Sequence, residues 1–337
     1  MEPLTRRAFV AGATLGSLTL VSRSLRAADF TFTQYHNQTT ESSLHRRLVE
    51  MWATIARETR GRVETQVFAG NNNVNGSDPA ALKMLVAGEI QFFTLMGGIL
   101  GTVVPVAEAQ QVPFAFRSAD HAFRAVDGAL GDYLRQEMAA KGIHGFKIGG
   151  FDNGMRQIAG NTRPIVVPGD LAGIKMRVPA GQMVADCFKA FGAEPVTINS
   201  NAIYGALKSG TVDAQENPLA LIDLFKLYEV SKFVSMTNHM WSGFNLLAHL
   251  PTWTRLPEDV RTVIDRNVTK FVRLQREDQG RANNQQRTAL AERGLVFNDV
   301  DAAPFRRQLA GFYATWKTTL GSRCWTLLED AAGRKLA

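Results

Sequence analysis

The chain has 337 residues, 45% hydrophobic and 20% charged, an ordinary globular balance. Its formal charge is +7, but the basic residues are scattered, with no run of five, which excludes a nucleic-acid-binding stripe. There is no CxxC, GxSxG, Walker loop or GxGxxG, and the six His show neither HxxxH nor HxH spacing, so no cofactor, metal or catalytic nucleophile is indicated.

In chain order, Thr5-Arg6-Arg7-Ala8-Phe9-Val10 sets two Arg before an apolar run from Phe9 to Val21. That layout reads as an export signal over 1–28, and the Arg pair points to the twin-arginine route. The run is too short to span a bilayer, and no later one approaches 18 residues, so the mature protein is expected to be soluble. Small residues at Ala27 and Ala28 place cleavage near Ala28. The remaining 309 residues exceed what one core usually organises, so two domains are expected. The signal carries +3 of the +7, leaving +4, a mild positive field that favours small anions.

Phe30 to Tyr35 alternates and predicts a strand. Leu44, Leu48, Met51, Trp52 and Ile55 have helical spacing within 42–59. Arg62 to Phe68 reads as a strand, 79–87 as a helix capped by Asp78, and Ile90 to Met96 as a buried strand. Asp120 to Lys141 reads as one or two helices. Strands follow at 143–151, 157–159, 174–178, 194–198 and 212–215, with helices at 182–191 and 202–209. Repeated βα units imply a mostly parallel sheet covered by helices. From Pro257 to Gly294 only Gly280 interrupts good helix formers, so either one helix about 50 Å long or two broken at Gly280 is expected. Cys187 and Cys324 read equally as a disulfide or as two buried thiols.

Gly173-Ile174-Lys175-Met176-Arg177-Val178-Pro179 puts an Arg at the end of a short apolar strand. Gln215-Glu216-Asn217-Pro218 then puts a side-chain amide before a Pro that can open a helix. Arg177 and Asn217 brought together would make a carboxylate receptor, with two parallel charge-assisted bonds and a third donor. On residues alone, an Arg in a strand is equally at home on an edge or in a structural ion pair.

Further stretches carry a family resemblance: Gly154-Met155-Arg156-Gln157-Ile158-Ala159-Gly160-Asn161, Gln111-Val112-Pro113-Phe114-Ala115-Phe116, the run from Tyr204 to Pro218, and the run from Phe225 to Lys232. With the Arg177 stretch, in this order, the chain resembles the solute-binding subunits of TRAP (tripartite ATP-independent periplasmic) transporters, of the dicarboxylate type, over most of 30–300. The resemblance implies a two-domain α/β periplasmic-binding-protein fold, with a ligand cleft between the domains and a long C-terminal helix crossing both. It places 29–153 plus about 242–281 in one domain and 154–241 plus about 282–337 in the other, with hinges near 153 and 241. It implies that Arg177 pairs with a ligand carboxylate, that Asn217 donates to it, that Arg156 adds a second cationic contact, and that Asn37 meets polar ligand groups. Alternatively, Arg156 forms a salt bridge that holds the closed form.

Departures from the family bear on the ligand. Asn199-Ser200-Asn201 stands where an aromatic or bulky apolar residue is common, which makes Ser200 a candidate contact. Met96 ends its strand where some relatives use a polar group, and Trp241 is read either as lining the cleft mouth or as core. The Asn-rich stretch from Gly70 to Asp78 reads as turn chemistry, or as a source of amides for ligand hydroxyls. The function implied is periplasmic capture of an organic acid by a monomer, without cofactor or metal, for delivery to TRAP membrane permease subunits. A secreted α/β enzyme acting on a small carboxylate, or a ligand-presenting partner of a sensor, are the other readings. The enzyme reading lacks a titratable group among the named residues.

Overall fold

Apolar alternation and helical spacing organise residues 27–336, those described by the computed structural model, into two α/β domains. The export signal expected over 1–28 lies almost wholly outside the described residues. The strands are β1 (Phe30–His36), β2 (Val63–Phe68), β3 (Phe92–Met96), β4 (Ile143–Phe151), β5 (Gln157–Gly160), β6 (Lys175–Val178), β7 (Glu194–Thr197), β8 (Ala214–Asn217), β9 (Phe233–Met236), β10 (Phe244–His249) and β11 (Val296–Asp299). The first sheet has the order β2-β1-β3-β10-β4 and the second β11-β9-β5-β8-β6-β7.

Each sheet is parallel except for one strand. In the first that strand is β10, and in the second it is β5. Both are strands that arrive from the other domain, so they enter against the direction set by the βα units. The expected mostly parallel architecture therefore holds, with the exceptions marking the crossings. Strands β9 (Phe233–Met236), β10 (Phe244–His249) and β11 (Val296–Asp299) were not foreseen from the sequence.

The helix Ser43–Glu58 buries the predicted Leu44, Leu48, Met51, Trp52 and Ile55, and the Ser42 hydroxyl accepts from the His45 amide at its start. Asp120 to Lys141 resolves into two helices, Ala119–Asp127 and Ala129–Ala139. Asp78 does not cap its helix, the role the sequence had suggested. The helix begins at Ser77, with Gly76 at the cap position and no side-chain cap bond, and Asp78 is buried in its first turn.

The tail forms one helix, Glu258–Glu292, unbroken at Gly280. It is fixed to the first domain by Arg276 with Asp127 (2.6 and 2.9 Å) and Arg47 with Asp278 (2.6 and 3.1 Å). It is fixed to the second by Arg293 with Asp223 and Arg287 with Asp299. Gln275, in its middle, grips the crossing at Asp152, accepting from its amide at 2.8 Å and donating to its carbonyl at 2.7 Å. Beyond it, the helix Ala310–Leu320 packs on Gln182–Ala190 of the second domain. The last, Ser322–Ala332, packs on the two helices between 119 and 139 of the first. The last two helices of the tail thus touch both domains.

Cys187 and Cys324 are both free and fully buried. Burial pushes the Cys324 thiol up to about 12 and that of Cys187 well above its usual range. The thiolate is the reactive form, so neither should react with a thiol-specific dye at pH 8 in the native protein, and both should react in guanidinium. Labelling of either native thiol would contradict the burial.

Candidate functional site

Both sheets change winding direction at a point where ligands commonly bind. From β1 the chain goes first to β2 on one side and later to β3 on the other, so the carboxyl ends of β1 and β3 diverge. In the second sheet β6 is followed by β7 on one side and β8 on the other, and their carboxyl ends diverge likewise. Such switch points leave a crevice at the strand ends. Asn37 follows β1 and Met96 ends β3. Arg177 is the penultimate residue of β6 and Asn217 ends β8. The two crevices face each other: a Cβ on Gly181, just after β6, would lie 3.3 Å from the Gly98 carbonyl oxygen, just after β3.

The register decides which residues share a face. Arg177 pairs with Gln215, and Gln157 with Asn217, so Arg177, Gln215 and Asn217 lie on one face of the second sheet. Arg177 is 2% exposed. Its Nε and Nη2 donate to the Ile198 carbonyl at 2.8 and 2.6 Å, and among the described residues no carboxylate lies within salt-bridge distance. Burial pulls its pKa down to about 9, opposed by Glu216 and Asp78 and aided by Arg156. It still carries its charge at neutral pH. The Ile198 anchor orients the fork and leaves the Nη1–Nη2 end for another partner. Asn217 donates to Gln215 Oε1 at 2.6 Å, and Gln215 Nε2 is buried with no hydrogen-bond partner.

Arg156 is differently placed. Its Nε and Nη2 form a two-bonded pair with the Glu216 carboxylate, and Nη2 also reaches the Glu216 carbonyl at 2.7 Å. Its Nη1 donates to Ser242 Oγ at 2.9 Å and approaches the Met96 sulfur at 3.5 Å, while Nη2 meets Asn217 Oδ1 at 3.3 Å. His239 Nε2 lies 3.2 Å from Glu216 and its Nδ1 lies 2.8 Å from the Thr237 hydroxyl. Burial alone would raise the Glu216 carboxyl, but Arg156 and His239 together hold it at about 2. The geometry is that of a buried ion pair, the alternative raised for Arg156 from the sequence. It also orders Asn217 and, through Ser242, the second crossing.

The remaining candidates separate. Asn37 Nδ2 donates to Asp78 Oδ2 at 2.8 Å, so Asn37 stands in the first-domain wall and holds an acid there. Ser200 is half-buried at the start of a short turn, two residues beyond the Ile198 carbonyl that anchors Arg177. Trp241 is 1% exposed, donates to Asp152 Oδ1 at 2.9 Å, and packs edge-on against Phe123. It sits in the core beside the crossing between the two sheets, bridged to Met155, as the core alternative for it had it. Sequence reasoning gave no role to Glu216, His239 or Ser242, and gave Asp78 only that of a helix cap. The available signal was an acid within a short buried strand, Gln215-Glu216-Asn217, which needs a counter-charge.

The family model for bacterial extracellular solute-binding protein, family 7, matches residues 35–319. A solute-binding protein of Roseobacter denitrificans is 29% identical over 287 residues, which is 85% of this chain and 87% of that one. An uncharacterized protein of Sinorhizobium fredii is 36% identical over 209 residues, 62% of this chain but only 38% of that longer protein. Among solved structures, a TRAP periplasmic solute-binding protein from Roseobacter denitrificans with bound β-D-glucuronate superposes with a TM-score of 0.85 at 25% identity, covering 90% of this chain and 100% of that one.

Proposed function

This chain belongs to family 7 of the bacterial extracellular solute-binding proteins, and from that premise we propose that it captures an organic acid in the periplasm through Arg177 and passes it to a TRAP-type membrane transporter. One observation carries the reading. A fully buried, charged guanidinium stands at the switch point of the second sheet, oriented by the Ile198 carbonyl and without an acid of its own among the described residues. A buried charge without a counter-charge is costly, and a ligand carboxylate supplies that counter-charge. Asn217 contributes through its second amide proton and Arg156 through the positioning of Asn217. The groups that touch Arg177 or share its face, the Ile198 carbonyl and the amides of Gln215 and Asn217, suit holding an anion rather than moving a proton, which favours binding over catalysis.

A thermal-shift screen against organic acids tests the reading. A ligand at 100 times its Kd adds about 2.7 kcal/mol of stability. Neutral sugars that raise Tm while carboxylates do not would overturn it. The crossings at 152–156 and 237–243 lie between two separately wound sheets, and such crossings can act as hinges. Small-angle scattering should therefore show a smaller radius of gyration at saturating acid, and an unchanged radius would count against closure.

A further inference from the structure

Glu108 is a buried acid for which neither the anion site nor the Arg156–Glu216 pair has a use. It lies on the short turn Pro105–Gln111, which follows β3 and the helical turn Gly97–Leu100 of the first domain, and it is 5% exposed. Its Oε2 accepts from the Met183 amide at 2.7 Å. Met183 is the second residue of the helix Gln182–Ala190, which begins just after β6 in the second domain. The first N–H groups of a helix have no partner within it. Here the cap position is Gly181, which has no side chain to offer, so the acceptor comes from the other domain.

Two glycines make the space for this bond. A Cβ on Gly101 would lie 2.2 Å from Glu108 Cγ, although the Gly101 dihedrals (φ −53°, ψ −25°) suit any residue. A Cβ on Gly181 would lie 3.3 Å from the Gly98 carbonyl oxygen. Glycine at these positions therefore serves close approach rather than backbone freedom. Gly101 seats the Glu108 stem, and Gly181 lets the start of the helix come up to it. Burial pushes the Glu108 carboxyl up to about 7, aided by Asp186 and opposed by the Met183 and Gln182 amides. A carboxyl oxygen accepts in either protonation state, so the bond depends on the oxygen rather than on the charge.

The helix that receives this bond follows β6, the strand that carries Arg177. The bond thus ties the element beside the anchor to the segment beyond β3 on the facing sheet. Separation of the two sheets would give both the Met183 amide and Glu108 to water, and the bond would form again only when they meet. Resting on the anchor and closure reading above, we propose that Glu108 is the positioning residue that holds the cleft shut: its carboxyl oxygen caps the second domain's helix in the closed form and slows escape of the bound acid.

Stopped-flow fluorescence on the full mature chain, with D-glucuronate, D-gluconate and succinate as probes, reads the escape rate directly. Glu108→Ala should release a bound acid at least tenfold faster, and Glu108→Gln, which keeps the oxygen, should stay within threefold of the parent. Hydrogen exchange of the Met183 amide in the parent needs no variant: saturating acid should slow it at least tenfold. A Glu108→Ala chain that is less stable but releases acid at the parent rate would make the bond purely structural and overturn the proposal, leaving the Arg177 anchor standing. Release from Glu108→Gln as fast as from Glu108→Ala would overturn the acceptor role. Equal exchange at Met183 with and without bound acid would overturn it likewise, because the bond would then not respond to closure. A parent that binds none of the three acids would overturn the anchor reading and this proposal together.

Discussion

Arg177→Lys should weaken binding of the acid by thirtyfold to several thousandfold. Truncating one partner of a buried charged pair typically costs about 2–5 kcal/mol, because the other partner stays desolvated without its counter-charge. Lys keeps the charge but loses the planar fork, and the structure shows why that matters here. The Nε edge of Arg177 is fixed to the Ile198 carbonyl, so the Nη1–Nη2 end is aimed without further ordering. An ammonium on a flexible stem has no such second point of attachment. Asn217→Ala should cost less, about 1.5–3 kcal/mol, since it removes a neutral donor to a charged acceptor. Calorimetry with the ligand found in the screen, on variants whose circular dichroism matches the parent, checks both. Binding by Arg177→Lys within a factor of three of the parent would show that this residue is not the anchor.

Glu216→Gln should be the most destabilising single change in the second domain. It leaves Arg156, 2% exposed, without its counter-charge, and breaking a buried pair from one side typically costs about 3–5 kcal/mol. Chemical denaturation should report a loss of that size. Replacing Arg156 and Glu216 together by Met and Leu should recover much of it, because no charge then remains buried. The pair also sets an acid limit. Glu216 titrates at about 2 in the folded chain, against about 4.3 when unfolded. Below the unfolded value the unfolded state binds the proton first. The pair's contribution is therefore fully present above pH of about 4.3 and is lost as pH falls toward 2. Glu216→Gln should flatten the stability profile in that window. A parent and variant with equal slopes there would argue that Arg156 and Glu216 are not coupled.

What could be seen in the chain beforehand was local. Helix faces such as Leu44 to Ile55, and strands such as Phe30–His36 and Ile143–Phe151, follow from side-chain period, which depends only on neighbours in sequence. The long helix was visible as a run of good formers, but whether Gly280 would break it was not. The answer lay in anchoring to both domains on either side, at Arg276 and Arg293, which holds a continuous helix through a residue of poor propensity. Asp78 is the opposite case. Its position before Pro79 suggests a cap, yet two asparagine amides 41 and 7 residues away hold it buried.

The class of protein was legible before the fold through resemblance, because stretches such as Met176-Arg177-Val178-Pro179 and Gln215-Glu216-Asn217-Pro218 match a known family in order along the chain. Tertiary structure alone decided how two buried arginines differ. Arg156 and Arg177 look alike in sequence, each on or beside a short apolar strand. Strand register puts Glu216 against Arg156 and puts Gln215 and Asn217 beside Arg177. A side chain alternates faces at every residue of a strand, so a one-residue difference in register separates an arginine neutralised within the fold from one with no acid partner among the described residues.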